Sequence, residues 1–75
     1  MDLSIVIPAY NESWKITQDV EGAAAFLKHH QLTGEIIVVD DGSRDDTAEA
    51  AKKVQVPPNV QLNVIRYENH RGKGY

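Results

Sequence analysis

Three mainly apolar runs recur along the chain, and they differ in how polar side chains are spaced within them. Residues 3–7 (LSIVI) and 35–40 (EIIVVD) are apolar on both faces of an extended chain, whereas residues 60–67 (VQLNVIRY) begin by alternating. Continuous apolar runs are typical of strands buried on both faces, and alternation is typical of a strand with one face in water. The pattern predicts three strands, the first two central in character and the third at an edge.

The two segments between these runs have the period of amphipathic helices. In the first, apolar residues recur at steps of four, three and four on one stripe of a helix predicted over residues 12–30: Ile16, Val20, Ala23 and Leu27. Asn11 is expected to cap the start of this helix. The second helix is predicted over residues 45–54, and the spacing of Ser43 and Asp46 is that of a capping box.

The order strand, helix, strand, helix, strand predicts an α/β fold built from two βαβ units. Right-handed crossovers make the strands parallel and place the second strand between the other two, as in half of a doubly wound domain. Both helices would then cover one sheet face, leaving the other face and the outer edge of the first strand bare. We therefore expect the 75-residue chain to belong to a larger domain, or to self-associate through that face and edge.

Composition narrows the classes of function. The chain has no Cys, which excludes a disulfide framework and a zinc site built on thiolates. Its formal net charge of −3 argues against nucleic acid as a partner, because phosphate binding requires clustered positive charge. No apolar run approaches the roughly 20 residues of a membrane span, and the N-terminus lacks a signal-peptide pattern, so a cytoplasmic location is predicted.

Polar residues with useful chemistry follow each predicted strand. In open parallel sheets, ligands bind at the carboxyl ends of the strands. Tyr10 offers a ring for a base, and Glu12 and Asp40 can accept hydrogen bonds from ribose hydroxyls or base N–H groups. Because side chains alternate along a strand, Asp40 and Asp41 are expected to point to opposite faces, one towards a ligand and the other towards the turn.

Each of these motifs also has a purely structural explanation. A type I turn accounts for the sequence DDGS at residues 40–43 without any ligand.

A dinucleotide-binding turn is excluded because residues 8–13 (PAYNES) contain no glycine, and a P-loop is excluded because no Ser or Thr follows Lys73. The alternative to an enzyme that remains is a non-catalytic nucleotide-binding or assembly module.

Three segments in order along the chain, SIVIPAYNES, EIIVVDDGSRDDT and NHRGKGY, resemble the N-terminal nucleotide-sugar-binding segment of family 2 glycosyltransferases with the GT-A fold. Together they span nearly the whole chain and are most similar to the dolichyl-phosphate and polyprenyl-phosphate glucosyl- and mannosyltransferases. His70 is a departure, an inserted residue relative to the NRGKG form. The resemblance implies that residues 1–75 are the N-terminal half of a Rossmann-like GT-A domain.

The resemblance also implies a nucleotide-diphosphate sugar as donor and a polyprenyl or dolichyl phosphate as acceptor, at the cytoplasmic face of a membrane. The residues that it assigns to the donor nucleotide are Pro8, Ala9, Tyr10, Glu12, Val38, Asp40, Gly72 and Lys73. Val38 would wall the nucleoside pocket, Asp40 would bond the base or ribose, and Gly72 and Lys73 would lie near the phosphates.

The same resemblance places the Asp-x-Asp metal motif, the catalytic base and the acceptor loops beyond Tyr75. Mg²⁺ or Mn²⁺ and the transfer chemistry are therefore expected of the intact enzyme. The chain alone is expected to be inactive, with no metal ligand and no catalytic residue of its own.

Overall fold

The computed structural model describes residues 2–67. Its elements are β1 (Leu3–Ala9), α1 (Ser13–His29), β2 (Gly34–Asp40), α2 (Thr47–Lys52) and β3 (Val60–Arg66). The strands form one parallel sheet in the order β1, β2, β3, which confirms the predicted βαβαβ arrangement. Although its apolar sequence gives it a central character, β1 lies at an edge of this three-stranded sheet.

Both helices pack on the same face of the sheet. The two helices contact each other as well as the strands, and they enclose the hydrophobic core: Ala9, Ile16, Val20, Ala24, Leu27, Ile36, Val38, Ala51 and Val60. The predicted stripe of α1 is confirmed except that Ala24 is buried in place of Ala23. Along β2, buried residues alternate with partly buried ones, as expected for a central strand covered on one side.

The opposite face of the sheet is uncovered in the part of the chain that the structure describes. Val6 of β1 is 60% exposed and Ile65 of β3 is 44% exposed, and both point away from the helices. This confirms the prediction of a bare apolar face, because β1 carries valine where a strand facing water would carry a polar residue.

Strand β1 continues two residues beyond its predicted end and includes Pro8. Ala9 directs its carbonyl oxygen to β2, where it accepts a hydrogen bond of 3.0 Å from the N–H of Asp41. Backbone groups alternate in direction along a strand, so Pro8 faces the outer edge of β1. Its missing N–H therefore costs no bond within the sheet.

The predicted cap of α1 is wrong. The residue before the helix is Glu12, and its side chain makes no capping hydrogen bond. Asn11 instead has a φ of 51°, in the left-handed region that asparagine tolerates better than most residues. Its side chain turns away from α1, and its Oδ1 accepts a hydrogen bond of 2.8 Å from the N–H of Arg44.

The predicted capping box of α2 is also wrong. The helix begins at Thr47, later than predicted, and Asp46 at its N-cap makes no side-chain capping bond. The hydroxyl of Ser43 donates to Oδ1 of Asp40, within the turn that follows β2. Ser43 and Asp46 have capping-box spacing, but Ser43 lies outside the helix.

Candidate functional site

The carboxyl ends of the three strands lie side by side. Ala9 is in register with Asp40, and Asp40 is in register with Arg66. The N–H of Tyr67 donates a hydrogen bond of 2.9 Å to the carbonyl oxygen of Asp40, which continues the pairing past the end of β3. This confirms the prediction that the strand ends meet at one edge of the sheet.

An open cavity of about 500 Å³ lies at this edge. Its lining combines aromatic, apolar and acidic side chains: Pro8, Ala9, Tyr10, Glu12, Val39, Asp41 and Tyr67. Pockets for small ligands are typically about 300–1,000 Å³ and apolar, with a few polar groups that fix orientation. The cavity therefore has the size and the mixed lining of a small-ligand site.

The structure brings together four of the residues assigned to the donor nucleotide and separates two others from them. Pro8, Ala9, Tyr10 and Glu12 line the cavity. Val38 and Asp40 do not, because both are completely buried on the sheet face that the helices cover. Their neighbours Val39 and Asp41 line the cavity in their place. Gly72 and Lys73 lie outside the described residues.

The roles of all these residues as nucleotide ligands stay predictions. Sequence reasoning missed Val39, Asp41 and Tyr67 as lining residues. Side-chain alternation would have found Tyr67, because it follows Ile65 by two positions and so belongs to the uncovered face.

Asp40 holds the turn that follows β2. Its Oδ1 accepts hydrogen bonds from the Ser43 hydroxyl and, at 3.0 Å, from the Ser43 N–H. Its Oδ2 has no hydrogen-bond partner among the described residues, but it lies 3.6 Å from Nε of Arg66. Arg66 also donates from Nη2 to the carbonyl oxygen of Ser43, at 2.8 Å. A buried carboxylate needs such partners, so Asp40 and Arg66 together fix the turn that carries Asp41.

Hydrogen bonds join the segment after β1 to the segment after β2. There are four such bonds, each given from donor to acceptor: Asn11 N–H to Ser43 Oγ (2.7 Å), Glu12 N–H to Thr47 Oγ1 (2.9 Å), Ser13 N–H to Asp45 Oδ2 (3.4 Å) and Arg44 N–H to Asn11 Oδ1 (2.8 Å). These bonds connect residues more than 30 positions apart in the sequence. These hydrogen bonds therefore hold the two loops that flank the cavity together.

A lysine on α1 forms ion pairs with two acidic side chains, one of which, Glu12, lines the cavity. Nζ of Lys15 lies 2.8 Å from Oδ2 of Asp19 and 3.7 Å from Oε2 of Glu12. The hydrogen bond to Asp19 is the main reason that the pKa of Lys15 is raised. The cavity lining contains two carboxylic acids, Glu12 and Asp41. When ionised, a carboxylate only accepts hydrogen bonds. The cavity thus suits a ligand that presents N–H or O–H donors.

No group of three His, Asp or Glu side chains within residues 2–67 is arranged to hold a metal ion. Over the same residues, neither helix combines the length and hydrophobicity needed to cross a lipid bilayer.

The hydrogen bond from the Thr47 hydroxyl is the main reason that the pKa of Asp45 lies below its ordinary value of 3.8. Because the folded pKa is depressed, this carboxylate stabilises the fold above pH 3.8, and its contribution disappears as the pH falls through the folded pKa. We expect Thr47→Val to move the pKa of Asp45 back towards 3.8, as measured by an NMR titration of labelled aspartate carboxyls.

Asp2 provides the internal control for this titration. Its pKa is also lowered, by hydrogen bonds from Thr33, far from Thr47. The pKa of Asp2 should be the same in both proteins. An unchanged pKa of Asp45 in the variant would contradict the assigned cause.

A parallel α/β sheet with an open cavity at the carboxyl ends of its strands has its site where proteins of this class bind ligands. Comparison with known proteins then identifies the family. The model of glycosyl transferase family 2 matches residues 4–75, and the chain therefore belongs to this family. No solved structure matches the chain significantly.

Several of the similar curated proteins have names that begin with dolichyl phosphate or dodecaprenyl phosphate. Dolichyl-phosphate beta-glucosyltransferase of Saccharomyces cerevisiae is 40% identical over 77 residues, which cover 96% of this chain and 23% of the relative. The human protein of the same name is 38% identical, over 96% of this chain and 24% of the relative. Dodecaprenyl-phosphate galacturonate synthase of Rhizobium johnstonii is 32% identical, over 97% of this chain and 22% of the relative. The chain spans about a quarter of the length of these relatives.

Proposed function

We propose that the whole protein is a glycosyltransferase that moves a sugar from a nucleotide-diphosphate sugar to a polyprenyl phosphate, and that this chain binds the donor nucleotide. The observation that carries the proposal is the cavity at the strand ends, in which a tyrosine ring and two carboxylates converge. The relatives support the acceptor class, because their names specify dolichyl and dodecaprenyl phosphates.

The cavity residues divide into an apolar wall and a set of acceptors. Pro8 and Val39 provide apolar surface, and Tyr10 provides a ring on which a base stacks. Glu12 and Asp41 accept hydrogen bonds from ribose hydroxyls or base N–H groups. In this proposal Asp40, buried beneath the turn, acts on the nucleotide through the position of Asp41 and without direct contact.

The remaining parts of the reaction belong to residues outside the described range. We assign Gly72 and Lys73 to the neighbourhood of the donor phosphates, and we assign Mg²⁺ or Mn²⁺ binding and the transfer chemistry to other parts of the whole protein. A lipid phosphate acceptor would bring the enzyme to a membrane surface, which we propose is the cytoplasmic face.

The proposed role of Asp41 predicts a loss of nucleotide affinity. In the whole protein, Asp41→Asn should weaken the binding of UDP or GDP, whichever the unmodified protein prefers, by about tenfold or more, because a hydrogen bond to a charged group contributes about 1.5–3 kcal/mol. Isothermal titration calorimetry measures this change directly.

The matched control is Asp46→Asn. Asp46 belongs to the same loop, but it is exposed and is not part of the cavity lining. Its substitution should leave the affinity within about twofold of the unmodified protein, a difference of about 0.4 kcal/mol. Equal affinities for the Asp41→Asn variant and the unmodified protein would disprove the assignment of Asp41.

The uncovered sheet face supports a second proposal, self-association of the 75-residue chain. Val6 and Ile65 place exposed apolar surface on this face, and β1 has an unpaired edge within the described sheet. We expect the isolated chain to sediment as a concentration-dependent oligomer. The double substitution Val6→Lys and Ile65→Lys should shift it towards the monomer.

Trp14→Lys is the control for this experiment. Trp14 is 77% exposed on α1, which covers the other sheet face, so the substitution removes exposed apolar surface without touching the proposed interface. The oligomer should persist in this variant. A monomer at every concentration, or an equal effect of Trp14→Lys, would exclude association through the bare face.

A further inference from the structure

Two buried hydroxyl groups link the loops on either side of the cavity. The Ser43 hydroxyl accepts a hydrogen bond of 2.7 Å from the N–H of Asn11 and donates its own proton to Oδ1 of Asp40. Ser43 is 1% exposed, so neither bond is replaced by water when it is lost.

The Thr47 hydroxyl repeats this arrangement four residues further along the chain. It accepts a hydrogen bond of 2.9 Å from the N–H of Glu12 and donates to Oδ1 of Asp45. Thr47 is completely buried. In both cases a carboxylate at the end of β2 or in the loop that follows it orients a hydroxyl. The lone pair of that hydroxyl accepts a hydrogen bond from a backbone N–H of the segment after β1.

Only a hydroxyl group can perform this double role among side chains of this size. A hydroxyl donates one proton and accepts through two lone pairs on the same atom, whereas a methyl group does neither. The carboxylates of Asp40 and Asp45 fix the direction of each proton, so the lone pairs are directed towards the N–H groups of Asn11 and Glu12.

The bonded N–H groups belong to the segment that carries the cavity residues Tyr10 and Glu12. Asn11, between them, has a φ of 51°, a conformation that an unsupported loop would populate only in part. The bond from the Arg44 N–H to Oδ1 of Asn11 supports the same conformation from the side chain. The segment after β1 is therefore held in one shape by the segment after β2.

We propose that Ser43 and Thr47 are positioning residues of the nucleotide site: their hydroxyl groups hold Tyr10 and Glu12 opposite Asp41 before the ligand binds. This inference rests on the proposed function, because it concerns the affinity of the same cavity. A loop ordered in advance does not lose conformational entropy on binding, so loss of either hydroxyl weakens binding without removing any contact to the ligand.

The test compares variants at Thr47 in the whole protein, with UDP and GDP as titrants. Thr47→Val keeps the shape of the side chain and loses both hydrogen bonds of the hydroxyl, and it should weaken binding of the preferred nucleotide by about tenfold, a difference of about 1.4 kcal/mol. Thr47→Ser keeps the hydroxyl and should restore the affinity to within about twofold of the unmodified protein. Ser43→Ala should resemble Thr47→Val.

Two further variants separate positioning from general loss of stability. Gly34→Ala perturbs the opposite end of the sheet, beside Leu3, and the folded protein should keep its affinity. Asn11→Gly suits the left-handed backbone and removes only the acceptor for Arg44, so it should fold normally and still bind several times more weakly.

The outcomes distinguish this inference from the proposed function. An unmodified protein that binds neither UDP nor GDP overturns the proposed function and this inference with it. If the unmodified protein binds and loses affinity in Asp41→Asn, but Thr47→Val, Ser43→Ala and Asn11→Gly all bind normally, the proposed function stands and the positioning role is refuted. The role is equally refuted if Gly34→Ala weakens binding as much as Thr47→Val.

Discussion

Gly34→Ala is expected to lower the free energy of unfolding by about 3 kcal/mol, at the upper end of the range for an overpacked core position. A Cβ atom at Gly34 would lie 2.8 Å from the carbonyl oxygen of Leu3 and 2.9 Å from Cδ2 of Leu27. The first contact is with backbone of the paired strand β1, which no side-chain rotation relieves. The second is with the side chain of a completely buried leucine, which would have to shift against the core residues around it.

Gly22→Ala provides a control with the same chemical change. A Cβ atom at Gly22, within α1, would meet nothing within 4 Å. Because alanine is a better helix former than glycine, this substitution should raise the free energy of unfolding by about 0.5–1 kcal/mol. Urea unfolding of the whole protein and both variants measures the two changes. If Gly34→Ala were as stable as the unmodified protein, the close packing of Leu3 and Leu27 against Gly34 would not require glycine.

The fold was predictable because local periodicity determines it. Alternating helical and extended segments with short connections permit one parallel arrangement, and the handedness of the crossovers then puts both helices on one face. The carboxyl ends of the strands follow from the same topology, which is why Pro8, Tyr10 and Glu12 were correctly placed at one edge of the sheet. None of these steps requires knowledge of a contact between distant residues.

The orientation of the two aspartates could be predicted only in part. Side-chain alternation requires Asp40 and Asp41 to diverge, and they do. Which of them enters the cavity depends on which residues of β2 lie under the helices. Residues 36–39 are all apolar, so the sequence of this strand does not distinguish the covered face from the uncovered one.

The hydrogen bonds between the loops were not predictable from local sequence. Asn11 and Ser43 each have a residue spacing typical of a helix cap, and local rules assign them to caps. In the folded chain each residue meets a partner more than 30 positions away, and that long-range bond replaces the local one. Local rules fail here at the loops that flank the candidate site, where tertiary contacts determine the backbone conformation.

Asp40→Ala is expected to be as destabilising as Gly34→Ala, with a loss of about 3 kcal/mol in the free energy of unfolding. The substitution leaves the buried hydroxyl and N–H of Ser43 without their acceptor, and it removes the carboxylate beside Arg66. The unpaired donors of Ser43 make the larger contribution, because the side chain of Arg66 is 42% exposed and water can solvate its charge.

Asp40→Asn separates the two contributions, since an amide oxygen still accepts from Ser43 while the charge opposite Arg66 is lost. We expect a smaller loss, about 1–2 kcal/mol, because the backbone N–H of Ser43 keeps an acceptor. Asp46→Ala, at an exposed position of the same loop without a side-chain cap bond, should change stability by only about 0.5 kcal/mol. If Asp40→Ala proved as mild as Asp46→Ala in urea unfolding, Asp40 would not be holding the turn, and the placement of Asp41 in the cavity would need another cause.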